Sequence, residues 1–215
     1  MKPFEKWKTE EVELTFGIKY LRSTPLMQDW LQFQQPLDPA DEQTAEKLRL
    51  FLQEFANFWN EEDMKVFFIV PVLQIVNFYA PDKYRTFMEV TLQANLVDAQ
   101  HNPCTLRGRV EMVVATGKQD PQIPFFFLNE YKAQRKVITD PQGQLLIAML
   151  AAQAKNNGKN LPIYGVYNIG QNWFFVILEN KEYSVSKQFD ATDPADLKQI
   201  INMLQYVKAH IERNV

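Results

Sequence analysis

The sequence predicts an α/β fold: a central mixed sheet of about five strands flanked by helices, with an N-terminal helical extension. Two strand pairs, each joined by turn-forming residues, predict the sheet: 106–116 with 124–132, and 163–167 with 173–178. Three Asp-Pro pairs predict the main helices, because aspartate caps a helix start and proline favours the first helical position. A chain of 215 residues, 46% hydrophobic and 23% charged, suits one domain with an appendage.

The helical extension is predicted to cover residues 1–59 and to pack on a core that spans residues 60–215. Alternation of polar and apolar residues over 11–16 predicts a short strand near the start of the extension. Thr24-Pro25 then begins a short helix that is predicted to end at Phe33.

Two further helices are predicted before the sheet begins. The first runs from Asp38-Pro39 to about Phe58 and carries an apolar stripe, which suits the core or a dimer contact. Asn60 caps the second, and the acids at 61–63 favour its positive end. The second helix is apolar on nearly all sides over 66–76, which predicts that it is buried.

Residues 85–96 are predicted to form the first core strand. The side chains expected on its apolar face are Met88, Val90, Leu92, Ala94 and Leu96. Glu89 falls on the opposite, polar face. Solvation is the ordinary interpretation of Glu89, and a further site carboxylate is the alternative.

The next two strands carry the residues from which we predict function. Within 124–132, Glu130 and Lys132 are two residues apart and share one face of the strand. The segment before it is rich in turn formers, so an antiparallel hairpin with its midpoint between residues 120 and 121 is expected. Glu111 and Glu130 are equally distant from that midpoint and should lie opposite each other.

Two facing glutamates need a compensating charge. Cross-strand Cβ atoms lie roughly 5 Å apart, and like charges at that distance repel by about 3 kcal/mol at an effective dielectric of about 20. A cation between the carboxylates, or a proton on one of them, relieves this repulsion. Two carboxylates beside a lysine suit Mg²⁺ or Mn²⁺ and a phosphodiester, because the metal activates water and neutralises charge at phosphorus. An ion pair at the sheet edge is the alternative for Glu130 and Lys132.

The order of an acid, a gap and Glu-x-Lys on a hairpin of an α/β core resembles the PD-(D/E)XK nuclease superfamily, also called restriction-endonuclease-like. The resemblance covers approximately residues 60–180 and is strongest to uncharacterised bacterial members of that superfamily. It implies a Mg²⁺-dependent DNA endonuclease-like hydrolase with Glu111, Glu130 and Lys132 as catalytic residues, the two glutamates binding the metal. It also implies Glu62 as a further metal ligand and Gln144 as a further residue of the site.

The chain departs from the motif at its first acid. That acid is usually an aspartate, often after proline, whereas this chain has Val110-Glu111. Glutamate is one methylene longer, so either the metal position moves or activity is lost. The alternative is therefore a catalytically inactive nuclease-fold module that binds DNA or protein. A glycoside hydrolase would place the two carboxylates about 5–9 Å apart without a metal, and would leave Lys132 unexplained.

The C-terminal part is predicted to continue with helices around the second hairpin. Asp140-Pro141 begins a helix to about Lys155, with Gln144 in its first turn beside unpaired backbone N–H groups. A phosphate would fit there, and ordinary solvation is the alternative. A more polar strand is predicted over 181–189. The helix that begins at Asp193-Pro194 has an apolar stripe, which together with the stripe on the first long helix suggests a homodimer.

Composition excludes several function classes. The single cysteine excludes an internal disulfide and suits a reducing, cytoplasmic location. The N-terminus lacks a secretory apolar run, and the longest apolar stretch is too short to cross a bilayer, so no membrane partner is expected. A net charge of −3 argues against nucleic-acid binding over the whole surface. DNA contacts are expected from basic residues near the site, for which solvated strand ends are the alternative: Arg107, Arg109, Arg135 and Lys136.

Overall fold

The computed structural model describes residues 2–132, 140–156, 159 and 161–215. The helices of this part are α1 (Thr9–Phe16), α2 (Pro25–Gln32), α3 (Pro39–Phe55), α4 (Glu61–Met64), α5 (Val70–Val76), α6 (Pro141–Lys155) and α7 (Pro194–Asn214), with a 3-10 turn at Phe4–Lys6 and a π-helical turn at Lys65–Ile69. Its strands are β1 (Lys19–Tyr20), β2 (Tyr79–Ala80), β3 (Tyr84–Val97), β4 (Pro103–Thr116), β5 (Gln122–Lys132), β6 (Ile163–Ile169), β7 (Asn172–Glu179), β8 (Glu182–Val185) and β9 (Phe189–Asp190).

The strands form one mixed sheet in the order β1-β8-β7-β6-β5-β4-β3-β2, with β9 beside β7. The five longest, β3 to β7, make up its centre. Strands β3, β4 and β5 are antiparallel neighbours, whereas β5 and β6 are parallel and are connected through α6. The predicted α/β class, a mixed sheet flanked by helices, is therefore confirmed.

A separate apolar core covers each face of the sheet. On one face, helices α2, α3, α5 and α7 pack against strand residues such as Val114, Tyr164 and Ile177. On the other face, α1 and α6 pack against residues such as Val113 and Val176. Because neighbouring residues of one strand belong to different cores, both faces are buried at β6, at β7 and at residues 110–115 of β4, whereas one face of β3 is exposed from residue 91 to residue 97. No helix of the described residues has the length and apolar character needed to cross a membrane.

The predicted helix starts are confirmed at all four proline-led helices. In each, the side chain before the proline accepts hydrogen bonds from backbone N–H groups of the first turn. These caps are Thr24, Asp38, Asp140 and Asp193. The helix that begins at residue 39 ends at Phe55, three residues before its predicted end.

The strand predicted over 11–16 is wrong, because these residues belong to helix α1. Val12 and Phe16, four residues apart, are buried on one side of this helix, and Gly17 ends it in the left-handed conformation. The start of α1 is capped from a distant part of the chain. The Asp140 carboxylate accepts a hydrogen bond of 2.7 Å from the Thr9 N–H while it also caps α6. Sequence spacing near residue 9 carries no sign of that contact.

The close contact between α1 and α6 requires a glycine, and we expect Gly143→Ala to lower the free energy of unfolding by about 1–3 kcal/mol. A Cβ at Gly143 would lie 2.5 Å from the Thr9 backbone nitrogen and 2.6 Å from the Lys8 carbonyl carbon, so the helices would have to separate. Urea unfolding measures the loss. Gly165→Ala is the control, because its Cβ would meet only flexible ends of Leu145 and Met149, at 3.1 Å. Equal losses in the two variants would contradict this account.

The helical segment from Glu61 to Val76 departs from its predicted burial. It runs through α4, the π-helical turn and α5, and the wider turn lies just before Pro71, which cannot donate a backbone hydrogen bond. Phe68 and Val72 are buried against the sheet, but Val66 and Phe67 are exposed. The expectation that the whole apolar segment is buried is therefore wrong for these two residues.

Candidate metal and phosphodiester site

The hairpin of β4 and β5 brings the predicted residues together. Strand pairing of Val113 with Leu128 and of Met112 with Asn129 makes Glu111 and Glu130 the next opposed positions. The Lys132 Nζ lies 2.7 Å from Glu130 Oε1 and 4.0 Å from Glu111 Oε1. The two carboxylates therefore share one ammonium group. The predicted midpoint between residues 120 and 121 is wrong, because the turn pairs Thr116 with Gln122 and is centred on residue 119; two register shifts between Val114 and Thr116 bring the glutamates opposite each other.

In both β3 and β4, the alternation of side chains between the two faces of the sheet is interrupted at a glutamate. Phe87 and Val90 on β3, and Val110 and Val113 on β4, all pack into the α6 side of the sheet although each pair is three residues apart. Strict alternation would place such residues on opposite faces. The strand ladder passes from Met88–Met112 to Val90–Val110, and the unpaired positions between are Glu89 and Glu111.

Glu89 adopts the left-handed conformation, with φ 55°, at this interruption. In a residue with a Cβ, this conformation is less favourable than the right-handed one by roughly 1–2 kcal/mol. The predicted apolar face of β3 therefore fails at this point, because Met88 is exposed and Phe87 is buried. Backbone strain of this kind is concentrated at functional sites in proteins.

Lys65 is a site residue that the sequence interpretation missed. It extends from the π-helical turn, and its Nζ lies 3.1 Å from Glu62 Oε1, 3.2 Å from Glu89 Oε1 and 3.3 Å from Glu111 Oε2. Its side chain is only 12% exposed. The available signal was a single lysine between an acidic helix start and a long apolar run, a position where an unpaired ammonium would be costly.

The acidic start of α4 contributes to the site through a different residue from the one expected. The Glu62 side chain is 75% exposed and contacts Lys65 at the rim. The Glu61 carboxylate instead lies close enough to Glu111 to raise its pKa, and its negative charge also acts on Glu130 and Lys132. Both residues lie in the first turn, so only the rotation of the helix decides which one reaches Glu111.

Burial raises the pKa of both facing acids. It raises the pKa of Glu111 to about 8, with repulsion from Glu130 adding to the effect and Lys65 opposing it. It raises the pKa of Glu130 to about 7, against the stabilising charge and hydrogen bond of Lys132. Burial alone would lower the pKa of the Lys132 ammonium, but Glu130 outweighs it and the net shift is upward.

The described part of the site carries an excess of negative charge. Five carboxylates surround three cationic groups, which gives a formal charge of −2 when every group is ionised. The carboxylates are Glu61, Glu62, Glu89, Glu111 and Glu130, and the cations are Lys65, Lys132 and Arg109, whose Nε lies 2.5 Å from Glu89. A bound cation or extra protons would relieve this excess.

The carboxylates suit a hydrated hard metal ion and do not form a complete protein cage. Glu111 Oε2 is buried and accepts no hydrogen bond from the described residues, although the Lys65 ammonium lies nearby. Glu111 and Glu130 supply oxygen ligands, and Mg²⁺ is commonly held by one or two carboxylates plus waters and substrate. Within the described ranges, no group of three or more His, Cys, Asp or Glu side chains could hold a metal. Glu62 therefore does not complete a three-residue set.

No family model matches the chain, and a comparison with curated proteins found no match. The geometry of the site is therefore the basis for proposing a function.

The other predicted residues are Gln144 on α6, Arg107 on β4 and two that lie outside the described residues. Gln144 is buried, and its Oε1 has no hydrogen-bond partner in the described part of the chain. In this first turn the Gly143 N–H donates to the Asp140 carboxylate and the Gln144 N–H donates to the Asp140 carbonyl, so these two groups are not free to bind a phosphate. Arg107 is exposed on β4, paired in register with Gln93. Two predicted DNA contacts, Arg135 and Lys136, lie outside the described residues.

Replacing the Glu111 carboxylate by a neutral amide should stabilise the folded chain when no metal is bound. We expect Glu111→Gln to unfold, in EDTA at pH 9, with a free energy about 1–3 kcal/mol higher than the parent chain. The pKa of Glu111 is raised in the folded state, to about 8. Between about pH 4.5 and about pH 8, the Glu111 side chain is ionised in the unfolded chain and protonated in the folded chain. The free energy of unfolding of the parent therefore falls as the pH rises across this range.

Urea titrations from pH 5.5 to pH 9 check this prediction. The glutamine variant should lack this component of the pH dependence, so the difference between the two chains should grow as the pH rises. A variant that is less stable than the parent at pH 9 would contradict the cause assigned to the Glu111 shift.

Proposed function

We propose that the chain is a Mg²⁺-dependent DNA phosphodiesterase of the restriction-endonuclease-like class. One observation carries the proposal: Glu111 and Glu130 occupy opposed positions on neighbouring strands, with the Lys132 Nζ 2.7 Å from one carboxylate and 4.0 Å from the other. An antiparallel β3-β4-β5 unit followed by α6 and a parallel β6 supports it, because this is the order in which that class presents an acid and Glu-x-Lys.

The two facing glutamates would hold the metal ion. When bound, a Mg²⁺ or Mn²⁺ ion supplies an activated water and neutralises charge at phosphorus. Glu130 is almost fully buried and is fixed by its hydrogen bond to Lys132, so its carboxylate has little freedom to turn away. Glu111 is less buried and contacts cations from two elements, the π-helical turn and β5.

Lys132 is placed to act on the substrate. Its ammonium is held by Glu130 and reaches toward Glu111, so it would meet a phosphate or water bound between them. Its raised pKa keeps it charged at neutral pH, which suits stabilisation of a developing negative charge and not removal of a proton by a neutral amine. We therefore assign Lys132 to orienting the water and balancing phosphate charge.

DNA would approach from the rim of the site. Arg109 is exposed there and contacts Glu89, while Arg107 is exposed two residues earlier on β4. Side chains of this type bind the phosphate backbone without reading base sequence. The net charge of −3 makes a local contact of this kind the expected mode.

The second candidate function is a nuclease-fold module that binds DNA or protein without cleaving it. One contact favours it: the Lys65 Nζ lies 3.3 Å from Glu111 Oε2, which lets a built-in cation neutralise the acid. Glu111 in place of the usual aspartate also favours the module that does not cleave DNA. In this case the acids and lysines would form a closed ion-pair cluster.

Metal-dependent cleavage distinguishes the two candidates. Purified protein is incubated with single-stranded, double-stranded and nicked DNA in Mg²⁺, in Mn²⁺ and in EDTA. The phosphodiesterase should cleave at least one substrate only with the metal, and Glu130→Gln should remove that cleavage while the thermal unfolding of the variant stays cooperative. Absence of cleavage with every substrate, together with no Mn²⁺ binding by calorimetry, would replace the proposal with the binding module.

A further inference from the structure

One side of helix α3 exposes large apolar side chains to solvent. Its residues Lys47, Leu50, Phe51 and Glu54 follow one another at helical spacing and are all exposed. The opposite side of the same helix is buried, as at Leu52. Two large apolar side chains thus lie at the centre of a solvent-facing stripe, with a cation at one end and an anion at the other.

Apolar residues from the next helical segment widen this stripe. The Phe51 ring packs on Trp59 at 5.0 Å and on Phe67 at 6.2 Å between centroids, so α3 and the π-helical turn share one aromatic surface. We call this surface the α3 face; its exposed apolar residues are Leu50, Phe51, Phe58, Val66 and Phe67, between 39% and 79% exposed. Contiguous apolar patches of this kind mark interaction sites on soluble proteins.

We infer that the α3 face is the interface of a homodimer in which two α3 helices pack antiparallel, centred between Leu50 and Phe51. Lys47 lies three residues before Leu50, and Glu54 lies three residues after Phe51. An antiparallel pairing with this centre places each Lys47 beside the partner's Glu54, twice per dimer. A parallel pairing would place like charges together.

The charges of α3 favour a second copy over a nucleic acid. Neither Lys47 nor Glu54 has an ion pair with another described residue, so both are available to a partner chain. The helix carries more acids than bases, and Arg49 is already bound to Glu46 at 2.6 Å. Phosphate groups would be repelled here, whereas the apolar centre and its two end charges complement a second α3 face.

The size of the stripe limits the expected affinity of the dimer. From Lys47 to Glu54 it spans about 10 Å of helix, which is modest for a protein interface. We therefore expect dimers at micromolar concentrations. The inference does not depend on the proposed function, because none of the facing acids or Lys132 belongs to the α3 face.

Sedimentation velocity over a hundred-fold range of concentration tests the dimer and its register. Lys47→Glu and Glu54→Lys each turn two attractive contacts into two repulsive ones, so each should raise the dissociation constant roughly ten-fold. The double variant, K47E with E54K, exchanges the charges and should return the dissociation constant to within about three-fold of the parent.

Apolar variants complete the test. Leu50→Lys should abolish the dimer, whereas Leu14→Lys, at a 71% exposed site on α1, should leave it unchanged. Circular dichroism melting confirms that each variant is folded. A parent chain that is monomeric throughout the concentration range, or a dimer that survives Leu50→Lys, would overturn the inference. So would single charge variants that weaken the dimer without rescue in the double variant, or an α3 face that binds an oligonucleotide while the chain stays monomeric.

Discussion

Lys132→Ala is expected to lower metal-dependent DNA cleavage at least roughly 100-fold, because loss of a charge placed at the reacting phosphate has an effect of that order. The Lys132 Nζ lies within reach of both facing carboxylates, and a methyl group cannot replace it as a counter-charge or as an orienting donor. Initial rates are measured at saturating Mg²⁺ on the best substrate of the parent chain.

Loss of Lys132 leaves the buried Glu130 without its ammonium partner, so the variant should be less stable than the parent, and its thermal unfolding is measured to show that it is folded under the assay conditions. Lys118→Ala is the matched control, since Lys118 also forms a lysine–carboxylate pair, with Asp82 at 2.6 Å, but is exposed and apart from the site. Its activity should match the parent. Cleavage by Lys132→Ala within three-fold of the parent would contradict the role assigned to Lys132; Lys132→Met serves as a second variant should alanine alter the strand.

Lys65→Met is expected to lower the free energy of unfolding in EDTA by about 2–4 kcal/mol, because it removes the cation from a partly buried cluster and leaves the acids unpaired. The Lys65 ammonium lies within 3.3 Å of three carboxylates, and methionine fills the same space without charge. Urea unfolding at pH 7 measures the change. Lys118→Met is the control, since its exposed ion pair should contribute less than about 1 kcal/mol.

The same variant connects stability to metal binding. If Glu111 holds a metal ion, millimolar Mn²⁺ should stabilise Lys65→Met by more than it stabilises the parent, because the ion then takes over the charge of the missing ammonium. Calcium-free buffers with and without Mn²⁺ give the comparison. A Lys65→Met chain as stable as the parent, or one that gains nothing from Mn²⁺, would contradict the charge balance derived for the site.

Local signals in the sequence were sufficient for much of the fold. Helix starts at Asp38, Asp140 and Asp193 depend on a cap and a proline that act within three residues, so each was predicted correctly. Such caps need no information from distant parts of the chain. The opposition of Glu111 and Glu130 was predicted from a hairpin midpoint between residues 120 and 121, whereas the observed turn is centred on residue 119 and two register shifts in the hairpin bring the glutamates opposite each other.

Other features depend on tertiary contacts that spacing does not encode. Helix α1 forms where alternation suggested a strand, because Asp140 caps it from 131 residues away. The interrupted alternation at Glu89 moves Met88 off the predicted apolar face of β3, while Val90, Leu92, Ala94 and Leu96 stay on it, and only the paired strand and the packed helices fix the position of the interruption. Lys65 reaches the site through a π-helical turn whose extra residue rotates the side chains, a shift invisible to a helical period of 3.6.

Anomalous diffraction from a crystal soaked in Mn²⁺ tests the central claim most directly. We predict a Mn²⁺ peak bound by the carboxylate oxygens of Glu111 and Glu130 on the β4–β5 hairpin, absent from a Glu130→Gln crystal soaked in the same way. A soaked parent crystal with no peak there, in which Lys65 and Lys132 still pair with the two acids as in the ion-free chain, would contradict a metal-dependent phosphodiesterase.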